Sequence, residues 1–161
     1  NVTELPSAER LVNISKSCVR IARLFGFEPK VAFLSHSTFG KPISKNTKHV
    51  RDAIDILKKQ KVDFNFDGEM QPDVALNPIY QEVYPFSKIV GNANILIMPA
   101  LHSAAISTKL MKVFGGGKLI GPLLIGLGLP IEVAPLRAST SEILNLASIA
   151  AYSSDIIDYS S

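Results

Sequence analysis

Lys30-Val31-Ala32-Phe33-Leu34, followed at once by Ser35-His36-Ser37-Thr38-Phe39-Gly40, reads as a short apolar strand that breaks into a polar turn. The run does not alternate between apolar and polar residues, so the strand is expected to be buried on both faces, as strands of a parallel sheet are. Residues 44–59 then place Val50, Ile54 and Leu57 at helical spacing, with lysines on the other side, which predicts an amphipathic helix. Residues 64–66 form a second strand running into Asp67-Gly68-Glu69, and residues 71–76 a short helix stopped by Asn77-Pro78. Continuous apolar strands alternating with helices predict an α/β fold: a mostly parallel sheet covered on both sides.

The same pattern extends in both directions. Upstream, Pro6 and Ser7 open a helix whose apolar stripe is read as Leu11, Ile14, Cys18, Ile21 and Phe25, closed by Gly26. Downstream, residues 77–91 are rich in loop formers, and residues 93–98 make a third apolar strand ended by Pro99. A long helix over residues 101–114 stops at Gly115-Gly116-Gly117. Residues 118–125 and 131–134 read as a fourth and a fifth strand. The last helix starts at Ser139, where Glu142 three residues on completes a capping box. The chain opens on a helix and not on a strand, which suggests a piece of a longer polypeptide.

Bulk properties narrow the function. The 161 residues suffice for one well-cored domain, and 47% hydrophobic with 19% charged residues is the balance of a folded globular protein. Seventeen basic against fourteen acidic side chains leave +3, scattered along the chain. The one loose basic cluster, Lys41, Lys45, Lys48, His49 and Arg51, fits a solvated helix face or the phosphates of a polyanionic ligand better than nucleic acid. The single cysteine, Cys18, excludes an internal disulfide and suits a reducing compartment. The most apolar run, residues 119–131, is too short to span a bilayer and is broken by Gly121, Pro122, Gly126, Gly128 and Pro130. With no signal-peptide pattern at the N-terminus, the expected location is the cytoplasm, with neither membrane nor nucleic acid as partner.

Familiar catalytic and metal patterns fail on spacing. Gly115-Gly116-Gly117-Lys118 is not a phosphate loop: Leu119 stands where Ser or Thr is needed, and a strand, not a helix, is predicted to follow. His36, His49 and His102 are far apart, with no Cys or carboxylate at ligand spacing, so no metal site is expected. Asp67 and Glu69, two apart, would share a strand face; a helix cap for one and a surface or dimer contact for the other is the simpler reading. Position says more than type. In open α/β sheets ligands sit outside the carboxyl ends of the strands. That rule picks out Ser35 to Gly40 (with His36, Ser37 and Thr38), Asp67 to Gln71, Pro99 to Ser103 (with His102) and the Gly121-Pro122 turn, as a polar rim able to cradle a phosphorylated ligand.

Longer stretches carry a family resemblance. Residues 28–37 (EPKVAFLSHS), 66–73 (FDGEMQPD), 91–99 (GNANILIMP), Gly115-Gly116 and 121–127 (GPLLIGL) occur in the order found in the second half of phosphate acetyl/butyryltransferase (phosphotransacetylase-like) domains. Among these, the chain most resembles the C-terminal domain of bacterial, two-domain NADP-dependent malic enzymes. The resemblance implies an α/β/α sandwich of the isocitrate/isopropylmalate-dehydrogenase-like kind, a coenzyme A cleft and dimerisation. It also implies an organisation in which residues 1–27 lead in, 28–130 form an α/β subdomain and 131–161 supply a returning strand and helix.

In active members of the family a Ser-Arg pair follows the Gly-Pro strand, and a carboxylate on the next helix serves as base for the coenzyme A thiol. Aligned from Pro130 to Asn145, the pair falls on Pro135 and Leu136 and the carboxylate on Glu142; Arg137 stands one residue late. Proline has no hydroxyl and leucine no charge, so the resemblance implies a ligand-binding shell without transferase chemistry. Acetyl-CoA would be the ligand, held by the rim residues together with Gly121, Pro122, Arg137 and Ser139. NADP and Mg or Mn would serve the malic-enzyme half, converting malate to pyruvate and CO2. An active transferase using Arg137, and a purely structural dimerisation module, are the competing readings.

Overall fold

The computed structural model describes residues 3–117, 119–127 and 129–156, and divides into two units, Asn1–Thr108 and Lys109–Ser161. The first unit holds α1 (Ala8–Leu24), β1 (Lys30–Leu34), α2 (Lys48–Gln60), β2 (Asn65–Met70), α3 (Pro72–Leu76) and β3 (Ile95–Ile97). Helix α4 (Leu101–Phe114) runs from the first unit into the second, which carries α5 (Thr140–Ile156). The three strands form a parallel sheet in the order β2-β1-β3.

Strand β1 lies in the middle and is buried on both sides, as its unbroken apolar run requires. Val31 and Phe33 face a core built with α1 and α2, where Leu11, Val19, Ile54 and Leu57 meet Phe66 and Ile97. Ala32 and Leu34 face the other way, onto Met70, Val74, Ala75, Ile89 and Ala93. Helix α2 is amphipathic as read, with Val50, Ala53, Ile54 and Leu57 buried; its approach is a single 3-10 turn at Lys45–Thr47.

Three expectations need correction. The buried stripe of α1 is Ala8, Leu11, Val12, Ser15 and Val19, while Ile14 and Phe25 are largely exposed and Cys18 only borders the core. Ser15 tolerates full burial because its hydroxyl donates to the Val12 carbonyl at 2.8 Å, so a polar residue could lie on the inner face. Second, the strand expected over residues 64–66 is Asn65–Met70 and includes Asp67-Gly68-Glu69: Phe33 pairs with Gly68 and Leu34 with Met70, which leaves Glu69 as the extra residue of a bulge. Third, neither residues 119–125 nor residues 131–134 form a strand; both are extended or irregular among the described residues. Apolar β-branched sequence favours a strand but cannot make one without a neighbour whose N–H and C=O groups pair with it. The fourth strand was also expected to include Lys118, which lies outside the described residues.

Candidate functional site

The carboxyl end of the sheet in the first unit is organised by one buried acid. Glu69 has no side-chain exposure, and its carboxylate accepts a hydrogen bond from Ser37 Oγ at 2.6 Å and from Arg51 Nη1 at 3.0 and 3.2 Å. Arg51 also donates to Thr47 Oγ1 at 2.6 Å and to the Ser44 carbonyl at 2.8 Å. The Glu69 carbonyl accepts the Phe39 N–H at 2.7 Å, and the Met70 carbonyl accepts that of Ser35 at 2.9 Å. The loop leaving β1 is therefore held by hydrogen bonds at its start, middle and end.

Ser35, Ser37 and Thr38 are buried, and their hydroxyls are used within this framework: Ser35 and Ser37 lie 3.2 Å apart, and Thr38 Oγ1 accepts the Gln71 N–H at 3.2 Å. His36 is exposed; its carbonyl takes a 2.6 Å hydrogen bond from Gln71 Nε2. His102 is exposed on the first turn of α4, and Ser103 Oγ donates to the Ala100 carbonyl at 2.8 Å. His49 reaches the Pro99 carbonyl through Nε2 at 2.9 Å, tying α2 to the loop after β3.

The basic cluster read from sequence separates into single jobs. Lys48 pairs with Asp52 at 2.7 Å, His49 with a carbonyl, and Arg51 turns inward. Asp67 and Glu69 do not take the expected parts of a helix cap and a surface contact. Asp67 accepts the Lys88 N–H at 2.7 Å, whereas Glu69 is the buried partner of Arg51. The bulge at Glu69 cancels the simple two-residue alternation. Sequence reasoning missed the Arg51–Glu69 pair, because charge alone cannot distinguish an arginine facing solvent from one facing a buried acid. An open cleft of about 250 Å3 borders this pair, with Phe39, Gly40, Ile54, Lys58 and Gly68 in its walls.

In the second unit Gly121, Pro135 and Glu142 line one small hollow with Asn145 and Leu146. Pro122 is exposed next to Gly121, to which it is joined by a cis peptide bond. Leu136 is fully exposed, and Arg137 is exposed beside it. Glu142 is occupied: its Oε2 accepts the Ser139 N–H at 2.7 Å and the Ser139 hydroxyl at 2.9 Å, and the Glu142 N–H donates to Ser139 Oγ at 3.3 Å. This is the expected capping box at the start of α5. The bonds from Ser139, backbone first, hold the Glu142 carboxyl below its ordinary value, with Lys112 at 3.8 Å adding to the effect. An acid held in its charged form by its own helix is a weak proton acceptor.

The capping box makes a stability prediction. Ser139→Ala should cost about 1 kcal/mol, the usual value of an N-cap hydroxyl. The folded carboxyl of Glu142 titrates below the unfolded one, so its contribution is complete above the unfolded range and is lost as pH falls through the folded value. Glu142→Gln should therefore melt below wild type at pH 7, and the gap should be smaller at an acidic pH where the carboxyl is protonated in both states. Melting curves at the two pH values check this; a gap that stays constant contradicts the role.

Among the described residues no cluster of three or more His, Cys, Asp or Glu side chains could hold a metal ion, and no helix is long and apolar enough to cross a membrane. Burial raises the Cys18 thiol above its ordinary range, which leaves it a poor nucleophile at neutral pH.

Residues 1–151 match the phosphate acetyl/butaryl transferase family, and the chain belongs to it. Its sequence is 46% identical over 151 residues to an NADP-dependent malic enzyme of Rhizobium meliloti, covering 94% of this chain and 20% of that protein. A phosphate acetyltransferase of Bacillus subtilis is 34% identical over 147 residues, covering 91% of this chain and 46% of that one. A crystal structure of a phosphotransacetylase from Streptococcus pyogenes superposes with a TM-score of 0.90 at 32% identity, over 96% of this chain and 47% of that one. The chain thus spans a fifth of the malic enzyme and under half of the phosphotransacetylases.

Proposed function

We propose that this chain is a non-catalytic regulatory and oligomerisation domain of an NADP-dependent malic enzyme, responsive to acetyl-CoA. What supports the reading is that, on the family resemblance, the Ser-Arg pair of active members falls on Pro135 and Leu136, and Glu142, where the resemblance puts the base, is engaged in capping its own helix. Loss of a single oxyanion donor costs roughly 10²–10³ in rate, so a site lacking both polar groups has negligible transferase turnover. Similarity to malic enzymes at up to 46% identity supports the choice of branch.

On this reading the malic-enzyme half, with NADP and Mg or Mn, converts malate to pyruvate and CO2 in the cytoplasm. This domain adopts an isocitrate/isopropylmalate-dehydrogenase-like sandwich, binds the CoA ester and pairs with a second copy. Regulation requires that acetyl-CoA bind the two states of the assembly unequally. In the full-length protein, acetyl-CoA is expected to change malate kinetics without any phosphate-dependent release of CoA. Identical kinetics with and without the ester, together with no heat of binding in calorimetry, would exclude the proposal. Phosphate-dependent release of CoA that disappears in Arg137→Ala would establish an active transferase instead.

A further inference from the structure

The Glu69 carboxylate is expensive to bury, and its partner Arg51 keeps 31% of its side chain exposed. Two charges taken out of water recover little more than their desolvation cost, and well-packed apolar residues in their place are often as stable or more so. What the pair supplies that apolar residues cannot is directional hydrogen bonding to distant points of one loop. Glu69 receives Ser37 near the loop's start, and Arg51 binds the Ser44 carbonyl and Thr47 at its end. Between them, the Phe39 N–H is bound to the Glu69 carbonyl, and Phe39 and Gly40 turn at φ values of 47° and 82°. Phe39 is further braced by the rings of Tyr84 and Phe86, at 5.4 and 4.8 Å between centroids. The loop tip and the ion pair line the same cleft of about 250 Å3, at the carboxyl end of a parallel sheet where ligands of such sheets bind.

We propose that Arg51 and Glu69 are positioning residues: they hold the loop of residues 35–44 in the shape that receives part of the acyl-CoA, through the cleft bounded by Phe39 and Gly40. This inference rests on the acetyl-CoA reading given above. It assigns affinity to the pair through pre-organisation of the loop, with no need for either side chain to touch the ester.

The test compares wild type with Arg51→Met/Glu69→Leu in the full chain, using acetyl-CoA as titrant. The double variant is expected to melt at or above the wild-type temperature, yet to bind acetyl-CoA at least about tenfold more weakly. Its Phe39 amide should exchange with solvent about tenfold faster or more, while amides of β1 remain protected. A purely structural pair would move neither affinity nor loop exchange in a variant that melts normally, and that result overturns the inference. Should the double variant fail to fold, Arg51→Lys decides: it keeps the charge but cannot bridge Ser44, Thr47 and Glu69 together, so unchanged affinity there is equally fatal. No binding by wild type removes the acetyl-CoA reading itself and this inference with it, whereas equal binding by wild type and variant removes this inference alone.

Discussion

Gly68→Ala is expected to destabilise the first unit by roughly 3–5 kcal/mol, combining strained backbone with overpacking. Gly68 sits at φ 143°, and a Cβ added there would lie 2.6 Å from the Phe33 carbonyl oxygen and 3.0 Å from the Phe33 Cβ. Both obstacles belong to the central strand, which is fixed by pairing on both sides and cannot give way. Gly26 is the control. It also has positive φ, 78°, but nothing lies within 4 Å of the added carbon, so Gly26→Ala should cost only about 1 kcal/mol. Denaturant midpoints of the two variants, at unchanged slope, measure the difference. If the costs are equal, the close approach of β2 to β1 at Phe33 is wrong.

Arg51→Ala is expected to cost roughly 3–5 kcal/mol, because it abandons a buried carboxylate. Glu69 has no exposed side-chain surface and would keep Ser37 as its side-chain partner. The loss comes from stranding the acid and not from the worth of the pair, so Arg51→Ala/Glu69→Leu should recover most of it. Measuring the two variants by chemical denaturation separates these accounts. A double variant as unstable as the single one would mean that the guanidinium contributes by packing alone.

Much of this was legible in the chain. The α/β class followed from apolar runs without alternation, and β1 has the bounds that Lys30–Leu34 predicts. The capping box at Ser139 and Glu142 is a local, four-residue device, and local devices can be read from sequence. The stop of α4 at Gly115 is another, with the Gly115 N–H bonded to the Met111 carbonyl at 2.8 Å.

What tertiary structure alone decided depends on partners distant in the chain. Arg51 lies among lysines on an amphipathic helix, and nothing in its neighbourhood says that it faces Glu69 eighteen residues later. That pairing comes with the bulge after Gly68, which lies where β2 runs against Phe33. Residues 119–125 and 131–134 have strand-like composition, yet a ladder is made by two chains of peptide groups and not by one. Composition and short-range spacing thus determined class and helix ends. Register, burial of charge and the shape of the β1 loop were decided by long-range pairing, because each is a property of two segments brought together.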